Sequence, residues 1–270
     1  MGETSEWKSV YFELQAMFGA TKHAGGLRAT RELIELCHID EGKYVLDVGC
    51  GVGMTPCYLA KGLGCRVVGV DLHETMIERA KERARREGVE DRVEFRVADA
   101  QNLPFEDDLF DAVIGESIIA LAENRQRAVN ECARVTKPGG YVGLNEMTWM
   151  KAGPPRELVE YYFRTTGTKP ETSDGWVALL EGSGLRDVVV RTYKMSVLME
   201  YIDGIRRFSL KELLRTWYRF LSLSITSPAF RRFAREAVPS IAIVRAIFEY
   251  LGYGLYVGRK AREWNSGTLT

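Results

Sequence analysis

Short apolar runs rich in β-branched residues alternate with helical patterns from residue 43 onward, and this alternation constrains the fold more than any other feature. Several runs are apolar at consecutive positions, as strands covered on both faces are. Strand, helix and strand repeated in this order predict a mostly parallel sheet with helices on both sides. The predicted elements of this part are Tyr44–Val48, Thr55–Lys61, Arg66–Val70, Glu74–Glu87, Val93–Val97, Phe110–Gly115, Asn124–Val135 and Gly140–Glu146.

The alternation loosens after residue 146. A helix is predicted at Gly175–Gly184, a strand at Leu185–Tyr193 and a last strand at Leu251–Val257, which brings the sheet to seven strands. Residues 1–42 and 196–250 are largely helical in pattern. The sequence therefore predicts an α/β core of residues 43–195 and 251–260, with a helical insertion at 196–250 before the last strand.

Composition and charge disfavour several classes of protein. The 270 residues contain 37 Lys and Arg and 37 Asp and Glu, so we expect no binding to nucleic acid through bulk charge. Five cysteines without a C-x-x-C, and first residues without a signal-peptide pattern, predict a cytoplasmic protein. Three histidines without ligand spacing predict no metal site, and no apolar stretch reaches the length of a membrane span.

A glycine-rich turn follows the first predicted strand. In VLDVGCGVG the strand ends near Asp47, and Gly49, Gly51 and Gly53 lead into a helix, an arrangement that lets backbone N–H groups approach a ligand. The second strand ends in Asp71, 22 residues after Gly49. An acidic residue at about this spacing binds a ribose hydroxyl in nucleotide-binding folds. The turn and the carboxylate together predict a cofactor that contains adenosine.

Two details favour S-adenosylmethionine over a nicotinamide dinucleotide. Met54 stands where the dinucleotide motif G-x-G-x-x-G has its third glycine. Asp47 beside the turn repels a pyrophosphate but attracts a sulfonium or ammonium group. The third strand is followed by Asp99 and Ala100, where a carboxylate and a backbone amide can bind the edge of an adenine ring. A nicotinamide-dependent oxidoreductase is the disfavoured alternative.

Five motifs in order resemble those of a known enzyme family. They are VLDVGCGVG (45–53), VVGVD (67–71), ADAQNLPF (98–105), FDAVIGES (110–117) and ARVTKPGGYV (133–142). The chain thereby resembles a class I S-adenosylmethionine-dependent methyltransferase, which has a Rossmann-like fold. Within that family it is most similar to the ubiquinone/menaquinone-biosynthesis (methyltransferase type 11-like) group.

The resemblance implies roles for individual residues. Gly49, Gly51 and Gly53 would hold the methionine end of the cofactor, and Asp71 the ribose. Leu72 is expected beside that ribose, and Asp99 with Ala100 would hold the adenine. HAGGLRAT (23–30) resembles an H-x-G-G-x-x-x-T segment that forms part of a lid over the cofactor in some members, so residues 1–42 are expected to form a helical lid.

Three side chains are candidates for catalysis. Glu116 follows the fourth strand and is expected to bind the charged end of the cofactor, orient an amine or act as a base. Glu146, expected after the fifth strand, and His23 are further candidate bases. A solvated loop carboxylate is the alternative for either glutamate, and a loop contact the alternative for the histidine.

The insertion concentrates positive charge. Residues 205–260 contain eleven Lys and Arg against three Glu, a net charge of +8. We expect residues 196–250 to cap the acceptor pocket. Helices packed on the core with a solvated basic side, a membrane-surface contact through 205–250 and a homodimer face remain open alternatives.

The sequence predicts methyl transfer to a small-molecule acceptor, lipophilic or quinone-like. An N-methyltransferase acting on a small amine is the alternative within the family. A protein that binds the cofactor without catalysis is an alternative from another class, and it predicts cofactor binding with no methyl transfer. The acceptor atom is not encoded in any motif, because the cofactor already carries the activated methyl group and the protein mainly supplies alignment.

Overall fold

The computed structural model describes residues 23–195 and 238–262, together with Tyr218, Leu221, Ser222, Ile225, Thr226 and Arg231. The first 22 residues of the predicted lid lie outside the described residues. Most of the predicted insertion and of its positive charge also lies outside them.

Helices and strands alternate through the described part. The helices are α1 (Gly26–Leu36), α2 (Met54–Leu63), α3 (Glu74–Glu87), α4 (Arg125–Val135), α5 (Arg156–Thr166), α6 (Ser173–Gly182) and α7 (Ile241–Tyr250), with a 3₁₀ helix at Ile119–Leu121. The strands are β1 (Tyr44–Val48), β2 (Arg66–Asp71), β3 (Val93–Val97), β4 (Phe110–Glu116), β5 (Thr136–Trp149), β6 (Glu171–Thr172), β7 (Leu185–Lys194) and β8 (Leu251–Lys260).

The strands form one sheet in the order β3-β2-β1-β4-β5-β8-β7. Strands β1 to β5 pair with one another in parallel, and β8 is antiparallel to both β5 and β7. The predicted mostly parallel α/β sheet is confirmed. An eighth strand, the two-residue β6, was not predicted; it pairs with Thr148 and Trp149 at the end of β5. Strand β5 is also longer than predicted and includes Glu146.

Apolar side chains fill a core on each face of the sheet. Because successive residues of a strand point to opposite faces, Val45 packs in one core and its neighbour Leu46 in the other. Helices α1, α2 and α3 cover the first face, and α4 and α6 cover the second, where Trp176 is buried. Helices on both faces are therefore confirmed, and the loops at the carboxyl ends of the parallel strands remain free for a ligand.

Helices α5 and α7 contact each other near this carboxyl edge. Tyr250 ends α7 and its carbonyl oxygen accepts a hydrogen bond from the N–H of Met150, just past β5, at 2.8 Å. Lys151 and Glu249 form an ion pair at 2.9 Å. Among the described residues, no helix is both long and apolar enough to cross a membrane.

Candidate active site

Three carboxylates come together at the carboxyl ends of the adjacent strands β1, β2 and β4. Asp47 pairs with Gly69 of β2 and Ile114 of β4, and β1 ends one residue later, at Val48. Asp71 is the last residue of β2, and Glu116 is the last residue of β4. Burial raises the pKa of Asp47 well above its usual range, and the negative charges of Glu116 and Asp71 raise it further.

The glycine turn is stabilised by its own hydrogen bonds. The N–H groups of Gly49 and Cys50 donate to the carbonyl oxygen of Val70 at 2.7 and 2.9 Å, and Gly51 donates to Asp71 Oδ2 at 3.0 Å. Gly53 donates to the carbonyl oxygen of Cys50 at 3.0 Å. These four N–H groups therefore bond within the protein, to β2 and to the turn, and the role of the glycines toward a ligand stays a prediction.

Glycine is required in this turn by conformation and by space. Gly49 has φ +74° and Gly53 has φ +76°, in the left-handed region that side chains rarely adopt. A Cβ on Gly49 would lie 2.5 Å from Ile118 Cγ1, and one on Gly53 would lie 2.8 Å from the Phe95 ring. The turn thus packs directly against its neighbours, which lets α2 begin close to the sheet.

The residues predicted to bind the nucleoside lie along the same edge. Asp71 accepts hydrogen bonds from the N–H of Gly51 and of His73, each at 3.0 Å; burial raises its pKa, and these bonds oppose the rise. Leu72 is exposed although it is apolar. Asp99 accepts from the N–H of Gln101 at 2.9 Å and also from its side-chain amide.

Glu116 is the centre of a buried polar network. Its side chain is only 6% exposed. Oε1 accepts from Thr55 Oγ1 at 2.8 Å, and Oε2 from Thr30 Oγ1 at 3.0 Å. Oε2 also lies 3.1 Å from His23 Nδ1 and 3.4 Å from Asn145 Nδ2. These contacts connect β4 to α1, α2 and β5.

His23 faces this network with both ring nitrogens. Nε2 lies 3.3 Å from Thr30 Oγ1, and Nδ1 lies near Glu116 and 3.3 Å from Asn145 Nδ2. Asn145 in turn donates to the carbonyl oxygen of Ala24 at 2.9 Å. His23 therefore connects the segment before α1 to Glu116 at the end of β4.

Three residues that contact Glu116 were not predicted as site residues, namely Thr30, Thr55 and Asn145. Thr30 is the threonine of the H-x-G-G-x-x-x-T segment, so that motif contained a signal for it. Thr55 and Asn145 had no such signal, because a threonine in a helix and an asparagine in a strand are ordinary residues until the fold brings them to Glu116.

Glu146 lies inside β5, whereas it was expected after the fifth strand. It belongs to β5, three residues before the end of the strand, and is 0% exposed. Its carboxylate accepts hydrogen bonds from backbone N–H groups at residues 118 to 120. Glu116 and His23, by contrast, lie in the network at the edge of the sheet.

The carboxylates and the amide oxygen of this site fit a cationic adenosine cofactor. In the described part of the chain, no Lys or Arg forms an ion pair with Asp47, Asp71 or Glu116. Among those residues, no group of His, Cys, Asp and Glu is arranged to hold a metal ion. Asn145 Oδ1, next to the network, is buried and has no hydrogen-bond partner among the residues that the structure describes. Acceptors without cations match the ammonium and sulfonium groups of S-adenosylmethionine.

Comparison with known proteins decides the family. Residues 46–144 match the model of a methyltransferase domain. Methyltransferase GfsG of Streptomyces halstedii is 35% identical over 190 residues, which are 64% of this chain and 68% of the relative. The chain belongs to the class I S-adenosylmethionine-dependent methyltransferases. The preference for S-adenosylmethionine over a nicotinamide cofactor is confirmed, while the narrower ubiquinone-type assignment stays a prediction.

Two further relatives of this methyltransferase cover most of its length. The 27-O-demethylrifamycin SV methyltransferase of Amycolatopsis mediterranei (strain S699) is 28% identical over 245 residues, 89% of this chain and 86% of the relative. A solved structure of Haemonchus contortus phosphoethanolamine N-methyltransferase 2, with phosphomonomethylethanolamine and S-adenosylhomocysteine bound, matches with a TM-score of 0.73. It is 20% identical, and the match covers 94% of this chain and 57% of that one, so it supports the fold alone.

Proposed function

We propose that this enzyme methylates a hydroxyl oxygen of an apolar small molecule. The observation that carries the proposal is α7, whose only charged residues are Arg245 and Glu249 and in which no residue is fully buried. Ile241, Val244 and Phe248 are exposed. A largely apolar helix exposed at the ligand-binding edge of the sheet is suited to contact an apolar acceptor.

The contacts of the described residues connect α7 to the carboxylate site. Helix α7 contacts α5, and the segment after α5 reaches the loop that follows β4. There the N–H of Lys169 donates to the carbonyl oxygen of Ala120 at 3.2 Å. That loop begins next to Glu116. Consecutive contacts therefore connect α7 to the predicted binding site for the cofactor's methionine end.

A relative that matches most of this chain supports an oxygen acceptor. The Amycolatopsis enzyme, which covers 89% of the chain, is named for methylation of 27-O-demethylrifamycin SV. Phosphoethanolamine N-methyltransferase 1 of Arabidopsis thaliana, 32% identical, supports an amine acceptor, but the match covers only 37% of that relative. We therefore favour the hydroxyl group, and keep a small amine as the competing outcome of the test.

Our proposal assigns each side chain a binding or orienting role. When bound, S-adenosylmethionine supplies an activated methyl group. Glu116 and Asp47 bind its positive charges, and Asp71 binds the ribose. Both oxygens of Glu116 already accept hydrogen bonds from threonine hydroxyls, so we assign Glu116 to binding and orienting the cofactor. Gly49, Gly51 and Gly53 shape the turn.

The remaining predicted site residues and segments belong to the same proposal. Leu72, Asp99 and Ala100 would hold the adenine. Residues 1–42 would form a lid and residues 196–250 a cap over the acceptor, around the core of 43–195 and 251–260. His23 would hold the lid closed through Glu116.

A product-release assay tests the acceptor class. The enzyme is incubated with S-adenosylmethionine and apolar phenols, quinols, aliphatic alcohols or small amines, including phosphoethanolamine, and S-adenosylhomocysteine is measured. We expect turnover with apolar hydroxyl compounds. Turnover restricted to amines would contradict the proposal.

A matched pair of variants tests the role of α7. Val244 is 36% exposed on α7, and Val189 is 37% exposed on β7. Val244→Ala should raise KM for the acceptor several-fold, since about 0.8 kcal/mol is lost per buried CH₂ group. Val189→Ala removes the same atoms at another surface and should leave KM unchanged. Equal effects would argue against acceptor binding at α7.

A further inference from the structure

The buried carboxylate of Glu146 has an unusual set of partners. Oε1 accepts hydrogen bonds from the N–H groups of Ile118 at 2.9 Å and Ile119 at 2.6 Å, and Oε2 accepts from the N–H of Ala120 at 3.4 Å. In the described part of the chain, Glu146 forms no ion pair within 4 Å. The hydrogen bonds to the Glu146 carboxyl group therefore come from three successive backbone donors.

These donors belong to the loop that leaves β4 and to its 3₁₀ helix, Ile119–Leu121. The first N–H groups of a helix have no partner within it. A buried carboxylate without hydrogen bonds is strongly unfavourable, and so are buried N–H groups without acceptors. Glu146 and the loop consequently provide each other's hydrogen-bond partners. If either moved, buried polar groups of the other would lose their hydrogen bonds.

The loop carries an apolar side chain against the glycine turn. Ile118 packs so close to Gly49 that a Cβ there would lie 2.5 to 2.8 Å from three of its atoms, and it also contacts Gly115. On its other side the loop accepts the hydrogen bond from Lys169. The loop after β4 therefore lies between the glycine turn and the segment after α5, and its position determines how the two are spaced.

We propose that Glu146 is a positioning residue that holds Ile118 against Gly49 and so shapes the cofactor pocket at its methionine end. The proposal rests on the proposed function of this site as a methyl-transfer site. It assigns Glu146 a different role from that of a base, because its oxygens face backbone donors inside the protein and not the edge of the sheet.

Substitution by glutamine or leucine distinguishes the two roles. In Glu146→Gln the amide oxygen still accepts from Ile118 and Ile119, and only the weak bond to Ala120 is lost. In Glu146→Leu all three bonds are lost at nearly constant volume. Thr148→Val is the matched control, since Thr148 is a buried polar residue of the same strand. Its hydroxyl bonds to the Tyr256 hydroxyl and to the backbone oxygen of Glu146, but neither to the Glu146 carboxylate nor to the loop.

Hydrogen exchange and calorimetry measure the effect of these substitutions on the loop and on cofactor binding, and neither measurement requires a methyl acceptor. In Glu146→Leu we expect exchange of the amides of 118 to 120 to accelerate at least about tenfold, and the Kd of S-adenosylhomocysteine to rise by about the same factor. Glu146→Gln should stay within about threefold of the wild type in both, and Thr148→Val should not alter these amides. Ile118→Ala should weaken S-adenosylhomocysteine binding while the amides stay protected.

Two results would overturn the proposal. One is a Glu146→Gln enzyme that binds S-adenosylhomocysteine normally but has lost turnover, which is the behaviour of a missing base. The other is unchanged amide exchange and affinity in Glu146→Leu. If Glu146→Leu does not fold, Glu146→Asp replaces it, and unchanged exchange there would overturn the proposal equally. A wrong acceptor class alters turnover alone, so failure of the proposed function is recognised separately.

Discussion

Replacing Gly49 with alanine tests how closely the glycine turn packs against the loop after β4. The new Cβ would lie 2.5 Å from Ile118 Cγ1 and 2.8 Å from its Cβ and Cδ1. Real Cβ atoms do not approach this closely, and Ile118 cannot retreat freely because its backbone N–H bonds to Glu146. One of the two segments must therefore shift.

The expected loss has two components. A left-handed φ costs an alanine about 1–2 kcal/mol, and overpacking adds about 1–3 kcal/mol, so Gly49→Ala should lower the free energy of unfolding by about 2–5 kcal/mol. Gly42 is the control, because it has φ +79° and no atom of the described residues lies within 4 Å of an added Cβ. Gly42→Ala should lose only the first component, about 1–2 kcal/mol.

Urea denaturation followed by tryptophan fluorescence measures these differences. The double variant Gly49→Ala/Ile118→Ala removes Cγ1 and Cδ1 of Ile118 and leaves only the contact with its Cβ at 2.8 Å. Its loss should therefore be smaller than the sum of the two single losses by about 1–3 kcal/mol. Equal losses for Gly49→Ala and Gly42→Ala, or additive losses in the double variant, would refute the packing argument.

Three further outcomes are expected. Burial raises the pKa of Glu146 to about 7, so the folded protein keeps a proton that the unfolded chain releases between about pH 4.5 and 7. Relative to Glu146→Gln, the free energy of unfolding of the wild type should fall by about 3 kcal/mol as pH rises through this window, and a flat difference in urea titrations would contradict this. Affinity for S-adenosylmethionine should rise with pH as the buried Asp47 ionises, and calorimetry should find a smaller slope in Asp47→Asn. Asp71→Ala should weaken S-adenosylmethionine binding at least about tenfold, and an unchanged Kd would refute its assignment to the ribose.

The local patterns of the sequence were sufficient for the fold class and the cofactor. Periods of two and 3.6 residues mark strands and helices wherever one face is buried, and they correctly placed the seven main strands. Asp71 was also found at the end of β2. These features lie within continuous stretches of chain, so their spacing is visible without a structure.

The assembly of the site could not be predicted from local patterns. His23 and Asn145 are 122 residues apart and yet contact each other, and Glu146 bonds to backbone groups 26 to 28 residues before it. Such contacts depend on which strands are neighbours, and they leave no periodic pattern. The same applies to the glycine turn, whose glycines were predicted but whose N–H groups bond within the protein. The kinds of residues at the edge of the sheet could therefore be predicted from local patterns, whereas the contacts among them follow from the packing of distant segments.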